Sequence, residues 1–170
     1  MEFSKLIILC GRPHVVIDCA LKALREAFGT AVYFPRQITT REPRPGEKED
    51  DYIFISNEEF EKNLPWREWQ KEFWAEKYYG SEYYGYFVSA EKAENRSVLI
   101  LEVPFDIYCR LSKKYGRRKV FGLLLWRSEE FLQATIESLY DMVVFFEGDR
   151  ECAVDAICKI ISAEISNVLD

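Results

Sequence analysis

Four continuous apolar runs of strand length, each followed by a segment with helical spacing, most constrain the fold of this chain. They are Lys5–Cys10, Ser97–Val103, Lys119–Trp126 and Met142–Phe146. An unbroken apolar strand is typical of a sheet that is buried on both faces. Strands that alternate with helices indicate βαβ units with right-handed crossovers. The sequence therefore predicts an α/β fold with a largely parallel sheet.

The helices and the middle of the chain complete this prediction. Apolar residues at helical spacing predict a first helix that ends at Gly29 and a last helix that Asp149 caps. Between them, the polar segment 35–51 is predicted to be loop or edge strand, 52–55 a strand, and 65–74 a helix. We expect one domain over residues 1–170, with residues 35–88 as an insert within it.

Composition excludes several classes of function. The chain has 170 residues, with 23 Lys and Arg against 29 Asp and Glu, which gives a net charge of −6. This balance argues against a general binder of nucleic acid or anionic membranes. No apolar run has the length of a membrane span and no signal peptide is evident, so we expect a cytoplasmic protein. Five cysteines without CxxC spacing and a single histidine exclude a His-rich metal site and favour reduced cysteines.

The loop after the first strand lies where a phosphate-binding loop, GxxxxGK[ST], would occur. Gly11 is present, but Val16 replaces the second glycine, Ile17 the lysine and Asp18 the hydroxyl residue. Valine resists the backbone angles that direct N–H groups at phosphate, isoleucine supplies no charge, and aspartate repels a polyanion unless a metal ion intervenes. We therefore interpret this segment as a strand-to-helix turn and predict no ATP, no metal and no other cofactor.

A small basic patch follows the second predicted strand. Arg41 and Arg44 are stiffened by neighbouring prolines, and residues 36–46 carry three arginines against Glu42. Arginine forks suit bidentate contact with phosphate. The next residues, 47–51, are acidic, so the patch has the size of one phosphate group.

This patch and its surroundings resemble the guanylate kinase family. The segment TTREPRPGE at 39–47 is similar to the family signature, DYIF at 51–54 follows it, and 73–86 is similar to the family's run ending in YYG-[ST]. The resemblance implies a P-loop NTPase-like three-layer fold with a parallel central sheet and a small mixed β insert that binds GMP. It implies that four residues hold the monophosphate: Arg41, Arg44, Tyr52 and Tyr84. It implies three further substrate-binding residues: Thr40, Gly85 and Glu102.

The chain departs from the family in two respects. The positions that contact guanine in the family are occupied here by Gln37, Ala75 and Tyr86, and the acidic residue expected at 75 lies one position later, at Glu76. These changes put the selectivity for guanine in doubt. The lid that carries arginines for ATP is missing, because only Tyr140 and Asp141 separate the preceding predicted helix from the last strand. Phosphoryl transfer depends on such positive charges, so we expect no catalytic residues.

Three functions remain open. The first is a binding module for a nucleoside monophosphate or a phosphorylated protein, similar to the guanylate-kinase-like domains of membrane-associated scaffold proteins. The second is an active nucleoside monophosphate kinase that uses ATP and magnesium in an unorthodox site. The third is an assembly protein with a vestigial pocket. An aromatic-rich stretch, 66–86, forms either a wall of the pocket or a small core.

Overall fold

The chain forms two compact units, each built around its own β-sheet. The small unit is Pro35–Glu94, and the large unit combines Glu2–Phe34 with Asn95–Asp170. The computed structural model describes residues 3–12, 14–45, 52–63, 73–79, 82–87, 98–127 and 134–169.

The elements follow in this order along the chain. The strands are β1 (Lys5–Gly11), β2 (Val32–Tyr33), β3 (Gln37–Thr39), β4 (Tyr52–Phe54), β5 (Phe73–Tyr79), β6 (Glu82–Phe87), β7 (Val98–Glu102), β8 (Val120–Arg127) and β9 (Met142–Phe146). The helices are α1 (His14–Phe28), α2 (Asn57–Asn63), α3 (Phe105–Tyr115), α4 (Ala134–Glu137) and α5 (Arg150–Leu169).

The large unit has the predicted parallel sheet, in the order β2-β7-β1-β8-β9, and all its strand pairs are parallel. The central strand β1 is buried on both faces, as its unbroken apolar run indicates. α1 and α5 cover one face, where Ile157, Ile161 and Ile165 are completely buried. α3 packs on β1 and β8 from the other side, where Tyr108 lies against Gly122. The result is a three-layer α/β arrangement.

The small unit has a four-stranded mixed sheet in the order β4-β3-β6-β5. β3 and β4 are parallel, whereas β6 is antiparallel to both β3 and β5. α2 begins after Ser56, whose Oγ accepts a hydrogen bond from the Glu59 N–H at 3.0 Å, as a helix N-cap does.

Two boundaries differ from the sequence prediction. β3 was expected to be loop or edge strand but is an interior strand, because both β4 and β6 pair with it. The predicted helix over 65–74 is wrong at its end, since Phe73 and Trp74 belong to β5, where pairing with β6 outweighs local preference. Its remaining residues, 65–72, lie outside the described ones.

The turn between α4 and β9 is fixed to the body of the large unit. The Tyr108 hydroxyl donates to the Leu139 carbonyl at 2.5 Å, and Arg117 Nη2 donates to the same oxygen at 3.3 Å. The Gly122 N–H donates to Asp141 Oδ2 at 2.7 Å, and the Asp141 N–H donates back to the Gly122 carbonyl at 3.0 Å. These bonds hold the turn at both ends.

The rings of Tyr108 and Tyr140 stack with their centroids 4.5 Å apart, but the two hydroxyls differ in their hydrogen-bond partners. Burial raises the pKa of both, so both are neutral at pH 7. Tyr108 has a carbonyl acceptor, whereas the Tyr140 hydroxyl has no well-formed hydrogen bond among the described residues and lies near the Cys10 thiol, a weak partner.

The two tyrosines therefore give opposite expectations for removal of a hydroxyl. We expect Tyr108→Phe to lower the free energy of unfolding by about 1 kcal/mol, because a made hydrogen bond is lost. Tyr140→Phe should change it by less than about 0.5 kcal/mol, or stabilise the protein, because a poorly satisfied buried hydroxyl is removed. Urea unfolding of the two variants measures both, and equal losses would contradict the assignment.

Candidate functional site

The pleat of the small sheet places three of the four predicted phosphate-binding residues on one face. Side chains alternate along a strand, and residues opposite each other on paired strands share a face. In β3, Gln37 is opposite Tyr52 and Tyr86, and Thr39 is opposite Phe54 and Tyr84. We call the face with these six residues the arginine face, because the Arg41 side chain lies on it.

Arg41 is a buried cation that rests on two rings of this face. Its Cζ lies 4.8 Å from the ring centroid of Tyr52 and 5.6 Å from that of Phe54, and the residue is only 7% exposed. Nη1 also donates to the Glu42 carbonyl at 3.0 Å. A planar guanidinium stacked in this way is held in a fixed orientation, which a flexible surface arginine is not.

Tyr84 stands on the same face, next to the Arg41 charge. Its hydroxyl donates to Glu82 Oε2 at 3.1 Å. Burial raises the pKa of Tyr84 above its usual value and Glu82 raises it further, whereas Arg41 and Thr39 act in the opposite direction. The phenol is therefore a protonated hydrogen-bond donor at neutral pH.

The two threonines of the signature fix the chain before Arg41. Thr39 is completely buried, and its Oγ1 accepts a hydrogen bond from the Arg41 N–H at 3.3 Å. Thr40 exchanges two bonds with Tyr83: its Oγ1 accepts from the Tyr83 N–H at 2.9 Å, and its own N–H donates to the Tyr83 carbonyl at 3.1 Å. Thr40 thus extends the pairing of β3 with β6 and positions Arg41.

The remaining predicted residues of the small unit differ in exposure and in sheet face. Arg44 is exposed, three residues beyond the buried Arg41. Gly85 is opposite Ile38 and therefore belongs to the other face, where the ring of Tyr83 stacks on Phe60 of α2 at 4.7 Å. The sheet therefore brings together Arg41, Tyr52 and Tyr84 of the predicted monophosphate set.

The positions that differ from the guanine-reading pattern also lie partly on the arginine face. Gln37 is half-buried directly opposite Tyr86, which is 6% exposed. The side chains of Ala75 and Glu76 lie outside the described part of the molecule. A primary amide between two tyrosines offers both a donor and an acceptor to a ligand.

In the large unit, most of the segment 11–18, which was compared with a phosphate-binding loop, belongs to β1 and α1. β1 continues to Gly11, and the Arg12 N–H donates to the Leu125 carbonyl at 3.2 Å. α1 already begins at His14, and Val16 and Ile17 are completely buried in the core beneath it.

Gly11 is itself explained by packing. Its φ is +117°, and a Cβ at this position would lie 1.9 Å from the Leu125 carbonyl oxygen. The glycine is thus required by the close approach of β8, whatever binds at the end of β1.

Glu102, at the end of β7, is engaged by the only histidine of the chain. The Nδ1 atom of His14 contacts Glu102 Oε1, and the Glu102 side chain is 14% exposed. The pair forms because Leu9 of β1 lies opposite Glu102, which places the end of β7 beside the first turn of α1. Asp18 is exposed on the same helix.

Four contributing residues were not singled out from the sequence. Phe54 completes the support for Arg41, Thr39 fixes the Arg41 backbone, Glu82 accepts from Tyr84, and His14 contacts Glu102. The alternation of Glu82 with Tyr84 along β6 was the available signal for one of them. The contacts of Phe54 and His14 join segments that are separated in sequence, whereas the bond of Thr39 is local.

Other features of the described residues concern cysteines, metals and membranes. All five cysteines lie within the described ranges and none is in a disulfide. No group of three or more His, Cys, Asp or Glu side chains is arranged to hold a metal ion within those ranges. No described helix is both long enough and apolar enough to span a membrane.

Comparison with known proteins points to one family. The guanylate kinase of Rubrobacter xylanophilus is 28% identical over 169 residues, which cover 99% of this chain and 81% of that protein. A 62-residue segment is 39% identical to the guanylate kinase of Corynebacterium diphtheriae, and a 70-residue segment is 41% identical to that of Aster yellows witches'-broom phytoplasma. These two matches span about a third of each relative, 32% and 33% of its length.

No protein-family model matches the chain. Among solved structures, the crystal structure of guanylate kinase from Anaplasma phagocytophilum superposes with a TM-score of 0.69. The superposition covers 96% of this chain and 87% of that one, at 18% sequence identity. The chain therefore has the fold of a guanylate kinase, and its sequence is similar to that of the Rubrobacter xylanophilus guanylate kinase over 99% of its length.

Proposed function

We propose that this protein is a guanylate-kinase-like binding protein that holds the phosphate group of a nucleoside monophosphate and does not transfer phosphate from ATP. The observation that carries the proposal is the buried Arg41 guanidinium, stacked on Tyr52 and Phe54 and sharing its sheet face with Tyr84. A pre-oriented cation and a neutral hydroxyl donor suit one phosphate. Arg44, exposed three residues later, would reach the ligand from outside.

The proposal that kinase activity is absent rests on the segment that follows β1 in the large unit. A triphosphate loop needs flexible backbone with free N–H groups and a lysine. Here the Arg12 N–H is bonded to Leu125, and Ile17 packs in the core at the lysine position. The residues present do not fit ATP with magnesium, since Ile17 supplies no charge for the β- and γ-phosphates and Glu102 already contacts His14.

The missing lid also supports the proposal that the protein does not transfer phosphate. In the guanylate kinase family, which this chain resembles, a long lid segment with arginines precedes the last strand. Here only two residues separate Leu139 from Met142. Tyr108, Arg117 and Gly122 bond to this turn. A short turn that is held by these hydrogen bonds favours a fixed connection between α4 and β9 rather than a mobile lid. Loss of a transition-state arginine alone is worth roughly 10³–10⁵ in rate.

An active nucleoside monophosphate kinase is the second candidate. It is favoured by the similarity to the guanylate kinase of Rubrobacter xylanophilus, which extends over 169 residues. This candidate requires ATP and magnesium, with contacts supplied by residues other than those of a GxxxxGK[ST] loop.

Isothermal titration calorimetry with GMP, AMP, CMP, UMP, ATP with Mg²⁺ and a phosphoserine peptide tests the proposal. We expect at least one nucleoside monophosphate to bind and ATP with Mg²⁺ to give no heat. Tight ATP binding together with GDP formation in a coupled assay would establish the second candidate instead. Binding of the phosphopeptide alone would identify a phosphorylated protein as the ligand, and no binding at all would leave an assembly role.

A further inference from the structure

A carboxylate lies on the arginine face, where a phosphate site would normally avoid one. Glu82 and Tyr84 are two residues apart on β6, so both belong to the same face. The Tyr84 hydroxyl donates its proton to Glu82 Oε2 at 3.1 Å, and Arg41 acts electrostatically on the same hydroxyl. Tyr84 thus stands between a cation and an anion of its own chain.

This arrangement makes Glu82 a competitor of the ligand. A phenol has one proton to donate, so Tyr84 can serve Glu82 or a phosphate oxygen, but not both at once. A phosphate that accepts from Tyr84 would lie about 2.7 Å from that hydroxyl, which places the Glu82 carboxylate within about 6 Å of the phosphate charge. Two anions at this distance repel each other in a partly buried site.

We propose that Glu82 determines which phosphate esters this site accepts, by favouring those that carry a cationic or hydrogen-donating group a few bonds from the phosphate. With such a ligand, Tyr84 turns to the phosphate, and the neighbouring donor of the ligand takes its place on Glu82. A plain dianionic ester leaves Glu82 facing a second anion. The inference rests on the proposed function, because it presupposes a phosphate beside Arg41 and Tyr84.

The chain contains a matched control for this pair. On the opposite face of β6, the Tyr83 hydroxyl donates to Glu61 Oε1 at 3.2 Å. This bond has the same chemistry and nearly the same length, but Tyr83 stacks on Phe60 of α2, on the face away from Arg41. Glu61→Gln therefore removes one negative charge and retains an amide acceptor, as Glu82→Gln does, without altering the arginine face.

The test uses two small probes that differ by one ammonium group, ethyl phosphate and phosphoethanolamine. Their affinities are measured by NMR titration of the wild-type protein, Glu82→Gln and Glu61→Gln, with GMP as a reference. We expect the wild type to bind phosphoethanolamine more tightly than ethyl phosphate. Glu82→Gln should bind ethyl phosphate about tenfold more tightly and lose the preference for the ammonium ligand. Glu61→Gln should behave as the wild type does.

The possible results separate this inference from the proposed function. If GMP or ethyl phosphate binds but Glu82→Gln keeps the wild-type ratio of the two affinities, the role of Glu82 is refuted and the phosphate site stands. If Glu61→Gln shifts the ratio equally, the effect is one of net charge and the inference fails. If no phosphate ligand binds any of the three proteins, the proposed function itself fails. Thermal unfolding of both variants shows that they are folded.

Discussion

Replacing Arg41 by alanine should weaken the binding of a nucleoside monophosphate by about 100-fold, the value of one strong charge-assisted contact. The guanidinium is buried and stacked on Tyr52 and Phe54, so no other side chain of the arginine face can take its place. Calorimetry with the ligand that gives the largest heat on the wild-type protein measures the loss.

Arg41→Lys distinguishes charge from geometry. Lysine keeps the positive charge but has neither the planar stack nor the forked donors, so we expect its binding to stay at least about tenfold weaker than wild type. Arg110→Ala is the control, because Arg110 is an exposed arginine of α3 in the large unit and its replacement removes the same charge. If Arg41→Ala binds this ligand as tightly as the wild type does, the ligand does not bind at Arg41 and the proposed phosphate site is wrong.

Replacing Gly11 by alanine should lower the free energy of unfolding by about 4 kcal/mol or more, and so prevent stable folding. The new Cβ would lie 1.9 Å from the Leu125 carbonyl oxygen, and the φ of +117° is unfavourable for alanine. Neither strand can move away, because β1 and β8 are adjacent central strands whose pairing extends from Leu6 to Gly11. Denaturant unfolding, or the yield of folded protein, measures the effect.

Gly116→Ala provides the comparison for Gly11. Gly116 also has a positive φ, of +80°, but no heavy atom lies within 4 Å of the Cβ position. Only the backbone strain applies there, so we expect a loss of about 1–3 kcal/mol. Similar losses for the two variants would contradict the view that Gly11 is retained because β8 approaches it so closely.

The strands of the large unit were predicted well because each carries its own signal. β9 has the predicted bounds, Met142–Phe146, and β1 extends the predicted run by one residue to Gly11. The N-cap at Asp149 is confirmed, since its Oδ1 accepts from the Cys152 N–H at 3.0 Å. Long apolar runs and capping residues act locally, and therefore they appear in the sequence.

The small unit was predicted less well because its strands are short and depend on each other. β3 has only three residues, and its interior place follows from simultaneous pairing with β4 and β6. The start of β5 was predicted as helix, because its aromatic residues give no clear period. Such strands are specified by their partners, which a single segment does not reveal.

By itself, the sequence determined the parallel sheet, the residue types of the proposed phosphate site and the loss of the GxxxxGK[ST] pattern. Only the tertiary structure decided that Arg41 is buried while Arg44 is exposed, that Glu82 shares the hydroxyl of Tyr84, and that His14 contacts Glu102. It also decided that Gly11 serves the contact with β8. The physical reason is the same in each case: burial, electrostatic neighbours and steric clearance arise between segments far apart in the chain, after the strands have paired.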